Sequence, residues 1–161
     1  MTELYLLRHA DAGDPTAWTG PDDIRPLSGK GEKQADRLGR FLAGTSFEPD
    51  AIITSPKLRA AQTAEAVARH LGRPVVVDDR LAGGVDPSTV AAILHDAGDP
   101  ARPILVGHDP DFTELLQTLT GASMTEMKKG AIVRIDVEPP FAADSGRLAW
   151  LVPPELLKPK G

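Results

Sequence analysis

Three short apolar runs constrain this chain more than any other feature. Leu4-Tyr5-Leu6-Leu7 stops on Arg8-His9-Ala10, Ala51-Ile52-Ile53 on Thr54-Ser55-Pro56 with Arg59 close behind, and Pro103-Ile104-Leu105-Val106 on Gly107-His108-Asp109-Pro110. Runs of this length read as buried strands. Helix-like segments separate them, so the alternation predicts a βαβ build with a mostly parallel sheet. In such sheets ligands sit outside the carboxyl ends of the strands. If the three runs share one sheet, two Arg and two His meet at one rim, a site suited to bind phosphate and attack it.

The remaining segments fit the same plan. Asp11–Leu27, polar and rich in Gly, Pro and Asp, reads as a loop, and a long loop beside a candidate site is often functional. Ser28 is a plausible N-cap for a helix through Leu42, with Gly44 at its end. Leu58–Leu71 carries an apolar stripe of Ala61, Ala64, Val67, Ala68 and Leu71, with Gly72 as its stop. Val75–Val77 reads as a strand and Pro87–Ala97 as a helix. Pro110 suits the first position of a helix that runs to about Leu119. Ala131–Val137 and Arg147–Val152 read as two strands joined by a turn-rich link, which suggests a hairpin. The tail from Pro153 is expected to be loosely ordered. The whole, residues 1–161, reads as one domain with a three-layer αβα architecture.

Composition narrows the partners. A formal charge of −5 argues against bulk nucleic-acid binding but leaves room for a locally basic pocket. There are no cysteines, so disulfides and thiolate chemistry are excluded. That absence fits a cytoplasmic protein. No signal peptide is visible, and no stretch approaches the roughly 20 apolar residues of a membrane span. A monomer or weak oligomer is expected.

Phosphoryl transfer asks a protein mainly for positioning and charge stabilisation. Arg offers paired, charge-assisted bonds to phosphate and stays protonated. A neutral imidazole can attack phosphorus and hold the phosphoryl group. His9 is the candidate nucleophile, with Arg8 and Arg59 favouring its neutral form by repulsion. His9 could instead be a structural histidine satisfied by backbone. Arg59, in the first turn of its helix, could be an exposed cation, but that position is electrostatically poor for one unless an anion is bound. His108 could donate to a phosphoryl oxygen or cap a helix, and Ser55 is a further candidate to touch substrate. His70, His95 and the Lys128-Lys129 pair read as surface or boundary residues.

Two other phosphate chemistries fare worse. His9, Asp11, His108, Asp109 and Asp111 could be imagined as metal ligands, but Arg8 and Arg59 would repel a divalent cation. Gly29-Lys30-Gly31-Glu32-Lys33 has neither the order nor the preceding strand of a phosphate-binding P-loop.

Leu7-Arg8-His9-Ala10, Thr54-Ser55-Pro56-x-x-Arg59-Ala60-x-Gln62-Thr63-Ala64 and Gly107-His108-x-Pro110 resemble the signature segments of the histidine phosphatase superfamily, which includes the phosphoglycerate mutases. The compact length, the Arg-His-x-Asp-Ala opening, the Arg25-Pro26-Leu27-Ser28-x-x-Gly31 segment and the ending near Trp150 are most similar to SixA-type phosphohistidine phosphatases. The resemblance implies a phosphoglycerate mutase-like fold. His9 would carry the phosphoryl group, with Arg8, Arg59 and His108 around it, and neither metal nor organic cofactor is implied.

The chain departs from that pattern at three places. Ala10 replaces the common Gly after the catalytic His. Ala12-Gly13-Asp14-Pro15 offers no clear match to the mutase-like Asn. Ala82-Gly83-Gly84-Val85 lacks the acidic proton donor expected shortly after Leu81. An alkoxide leaving group needs such an acid. An imidazole, with a pKa near 6.5, needs it less. The expected function is therefore metal-independent hydrolysis of phosphohistidine on a protein substrate. Hydrolysis of small phosphoesters at the same site, or a non-catalytic phosphate-binding or phosphoprotein-binding module, is the alternative. Asp11 could serve as a substitute acid, orient water, or be an exposed loop carboxylate.

Overall fold

The computed structural model describes residues 1–160. Its strands are β1 (Thr2–Arg8), β2 (Ala51–Thr54), β3 (Val76–Val77), β4 (Pro103–Gly107), β5 (Ile132–Val137) and β6 (Gly146–Val152). They form one mixed sheet in the order β3-β2-β4-β1-β5-β6. β3, β2, β4 and β1 run parallel, whereas β5 and β6 are antiparallel additions at the far side. The expected hairpin is present, and the sheet is mostly parallel as the alternation predicts.

The helices are α1 (Gly29–Ala43), α2 (Leu58–Leu71), α3 (Pro87–Asp96) and α4 (Asp111–Thr120). The period of β1 sorts them into layers, because successive side chains point to opposite faces. Tyr5 and Leu7 pack with Leu38 and Leu42 of α1 and Ala60, Ala64 and Val67 of α2. Leu4 and Leu6 pack with Val90 and Ile93 of α3 and Phe112, Leu115 and Leu116 of α4. A strand buried on both faces needs an unbroken apolar run, which is why Leu4–Leu7 lacks alternation. Burying each such leucine contributes roughly 1.5–3 kcal/mol relative to exposure. The result is an α/β/α sandwich.

Local chemistry sets the helix ends. Ser28 caps α1, its hydroxyl accepting the Gly31 N–H at 3.0 Å. Gly72 and Gly121 close α2 and α4 in the left-handed conformation. Two details differ from the sequence reading. Pro110 precedes α4 as its N-cap, so the helix opens at Asp111. The tail is not loose: Pro154–Leu157 form a short 3-10 turn, Leu157 packs against the core, and Glu155 pairs with Lys128 at 3.0 Å. No helix among the described residues is long and apolar enough to cross a membrane.

Candidate active site

β1, β2 and β4 are neighbours, so their carboxyl ends deliver Arg8-His9, Ser55 and His108 to one rim. Arg59 arrives one residue into α2, just after β2. Arg8, His9, Arg59 and His108 line a cleft of about 390 Å³, and the His9 and His108 rings stand 5.3 Å apart. The cleft also takes Arg25, Lys57, Lys129, Asp109 and Asp111, giving five cationic side chains and two carboxylates. A protein of net charge −5 thus has a locally positive pocket.

His9 is held at several points. Its N–H donates to Gly107 O at 2.9 Å, and its carbonyl accepts from Gly130 N at 3.0 Å. The next N–H, of Ala10, donates to the Thr63 hydroxyl, which itself donates to Arg59 O. The imidazole Nδ1 lies 2.7 Å from Ala10 O. A carbonyl only accepts, so Nδ1 carries the ring proton and Nε2 keeps the lone pair. Burial first, then the nearby Arg59, Arg8 and Arg25, lowers the His9 pKa to about 4, although the Ala10 hydrogen bond pulls the other way. The repulsion by Arg8 and Arg59 expected from the sequence contributes, and desolvation is the larger cause.

His108 is neutral for similar reasons: burial, then His9, Arg59 and Lys57, lowers its pKa to about 3. Its Nε2 lies 2.7 Å from the fully buried Ser55 hydroxyl oxygen, which already accepts the Lys57 N–H. The hydroxyl proton has no acceptor among the described residues other than that Nε2. Ser55 therefore donates to Nε2, and Nδ1 of His108 bears the proton. Ser55 holds His108 and is not among the residues lining the cleft, which corrects its reading as a substrate contact.

Arg8 is anchored by Nη1, which donates to Met127 O at 2.8 Å and faces Asp109 at 3.5 Å. Arg59 is anchored by both terminal nitrogens on Asp22. Three buried donors remain without a hydrogen-bond partner among the described residues: Arg8 Nε, Arg59 Nε and His108 Nδ1. A buried donor left unpaired costs about 1–3 kcal/mol. All three belong to side chains that line the cleft.

The structure moves Asp11 away from this chemistry. Its carboxylate accepts the Ser28 hydroxyl at 2.6 Å and the Gly13 N–H at 3.2 Å, and it is not among the cleft-lining residues. Those bonds, the Ser28 one foremost, hold its pKa below the usual value, which is the wrong direction for an acid. Asp11 instead ties the segment after His9 to the start of α1. Gly31 is needed there, since a Cβ would sit 1.9 Å from Asp11 O.

Sequence reasoning missed three groups. Arg25 is buried, lines the cleft and donates to Ala12 O at 2.7 Å; the Arg-Pro-Leu-Ser segment before the helix cap was its only signal. Lys129, expected to be solvated, lines the cleft and faces Asp11 at 3.7 Å. Asp22 clamps Arg25 and Arg59 from the long loop. His70 lies on the α1–α2 boundary, 2.7 Å from Asp36. Among the described residues, no group of three or more His, Cys, Asp or Glu is placed to hold a metal ion.

Comparison with known proteins agrees with this arrangement. Residues 4–83 match the histidine phosphatase superfamily (branch 1). The chain is 35% identical to an uncharacterized protein of Picosynechococcus sp., over 81% of this chain and 82% of that protein. It is 33% identical to the phosphohistidine phosphatase SixA of Escherichia coli, over 45% of this chain and 43% of that one. A solved structure of the protein histidine phosphatase SixA complexed with tungstate superposes with a TM-score of 0.84 at 26% identity, covering 98% of this chain and all (100%) of that one. With the strand-end Arg-His pair, the second histidine and the sheet order all in place, the chain belongs to the histidine phosphatase superfamily, branch 1.

Proposed function

We propose that this protein is a metal-independent phosphatase that works through a phosphohistidine on His9 and hydrolyses phosphohistidine carried by a protein substrate. The observation that carries the reading is the convergence of Arg8, Arg59 and His108, each with a buried unpaired nitrogen, on the cleft lined by a neutral His9. Nε2 of His9 attacks phosphorus in line. Arg8, Arg59 and His108 hold the equatorial oxygens as charge develops. Water then attacks the phosphoryl group on His9, the P–N bond breaks, and inorganic phosphate leaves.

Two features favour a phosphohistidine substrate. The 82–85 loop carries no carboxylate, and an imidazole leaving group is only weakly basic. The segments Asp78–Asp86 and Ala122–Lys129 are short, so they leave room for a side chain displayed on another protein. Likeness to the Escherichia coli phosphohistidine phosphatase SixA supports the same choice.

The test is phosphate release, in chelator, from a phosphohistidine-bearing protein and from an alkyl phosphate, with wild type and His9→Ala. Release from the phosphohistidine substrate that His9→Ala abolishes supports the reading. Release that survives in His9→Ala refutes it.

A further inference from the structure

A second concavity lies beside the cleft, between α1 and the 3-10 turn Pro154–Leu157. It is a groove of about 440 Å³ lined by Lys30, Lys33, Gln34, Arg37, Pro154 and Lys158. Lys30, Lys33, Gln34 and Arg37 follow the i, i+3, i+4, i+7 spacing and so share one side of the helix. The groove has one carboxylate, Glu155, and that one pairs with a further cation, Lys128, at 3.0 Å. None of the four groove cations forms an ion pair among the described residues.

A single backbone segment separates this groove from the cleft. Gly130 donates its N–H to His9 O at 3.0 Å. A Cβ on Gly130 would lie 3.3 Å from Gln34 Oε1 and 3.5 Å from Pro154 Cβ, both on groove residues. The same Gln34 oxygen accepts the Asp11 N–H at 2.9 Å, and Asp11 faces Lys129 of the cleft at 3.7 Å. The groove cations therefore continue those of the cleft through Lys129. Elsewhere the charge reverses. From Leu81 to Met127, the stretch that holds α3 and α4, seven carboxylates stand against one Arg, Arg102, and no Lys. Those two helices cover the sheet face opposite α1.

We infer that the groove docks an acidic surface of the protein that carries the phosphohistidine. The inference rests on the proposed action on phosphohistidine proteins and adds the chemistry of the partner. Charge complementarity selects the occupant. An acidic surface is drawn to the groove and repelled by the α3–α4 layer, which fixes the side from which the partner approaches. Four cations on a chain of net charge −5 make a local contact, not the extended basic face that a nucleic acid requires. The cleft takes the phosphoryl group, and the groove sets which proteins present it well.

The experiment measures kcat/KM on two synthetic peptides and on 4-nitrophenyl phosphate. One peptide has a central phosphohistidine with four glutamates on each side, a reach of about 13 Å when extended; the other has glutamines in their place. The enzymes are wild type, the groove variant Lys30→Glu/Lys33→Glu/Arg37→Glu, and a control of equal net charge, Arg69→Glu/Arg73→Glu/Arg147→Glu, altered at exposed positions outside the groove. Wild type is expected to prefer the glutamate peptide by at least about 10-fold at low salt, and to lose that preference at high salt. The groove variant should lose the preference while turning over 4-nitrophenyl phosphate as wild type does, which also controls for folding. The control variant should keep most of it. Equal rates on the two peptides with wild type, a preference that survives in the groove variant, or an equal loss in both variants overturns the docking site and leaves the phosphohistidine reading standing. Hydrolysis of 4-nitrophenyl phosphate but of neither peptide overturns both. Inhibition of peptide hydrolysis by duplex DNA at concentrations below the KM of the glutamate peptide reassigns the groove to nucleic acid and overturns the inference.

Discussion

Asp22 grips Arg59 at two points: its carbonyl oxygen accepts from Nη1 at 2.9 Å and its carboxylate from Nη2 at 3.0 Å. The same carboxylate lies 3.2 Å from Arg25 Nε. A loop carboxylate thus neutralises part of the charge that an incoming phosphate would meet, while Arg59 Nε stays unpaired.

Asp22→Asn should tighten the binding of inorganic phosphate. The carboxylate is largely exposed, so its interaction falls in the range of about 0.2–1 kcal/mol measured for surface pairs. The expected change is a dissociation constant lower by up to roughly fivefold. Calorimetric titration with phosphate checks it. Weaker binding would mean that Asp22 serves chiefly to orient Arg59.

The two buried histidines make the fold sensitive to acid. His9 at about 4 and His108 at about 3 are both depressed below the unfolded value of about 6.5. Between those limits the unfolded chain binds more protons than the folded one, so stability rises with pH through that window. The loss on going down in pH begins near 6.5 and, for His9, is complete near 4, with a ceiling of about 3 kcal/mol from that gap. Melting temperature should fall from pH 7 to pH 4.5, and His9→Asn should flatten part of the slope. A His9→Asn profile parallel to wild type would contradict this.

Ser55→Ala removes the group that fixes the tautomer of His108. The expected loss is about 10-fold in kcat, with a smaller change in KM, since a buried hydrogen bond of this kind is worth on the order of 1–2 kcal/mol. Imidazole nitrogen chemical shifts should show a clear Nδ1–H form of His108 in wild type and a mixture in the variant. Unchanged shifts would remove the tautomer argument.

Gly31→Ala sets a methyl group against Asp11 O, where the Cβ would lie at 1.9 Å. The backbone must move, and that backbone follows His9 by two residues. Overpacking of this kind costs typically about 1–3 kcal/mol. Both the melting temperature and turnover should drop, and retention of both would show that the segment can yield freely.

The strand-end residues were legible because burial on both faces forces an apolar run, and the run ends where the sheet does. Arg8, His9 and His108 therefore announced themselves, as did the cap of α1 and the left-handed glycine stops. Arg25, Asp22 and Lys129 did not. They sit in segments without periodicity, and only the path of the chain brings them to the cleft. Asp11 misled for the same reason. Adjacency to His9 suggested chemistry, but the turn that follows carries its carboxylate to Ser28.

The hydrogen bond from His9 Nδ1 to Ala10 O has a regiochemical consequence. With one ring nitrogen turned to its own backbone, a phosphoryl group on His9 can form at Nε2 alone. The trapped intermediate would then be a single isomer, the one phosphorylated on the nitrogen remote from the main chain. One short contact with the next residue selects which of two constitutional products the imidazole can make.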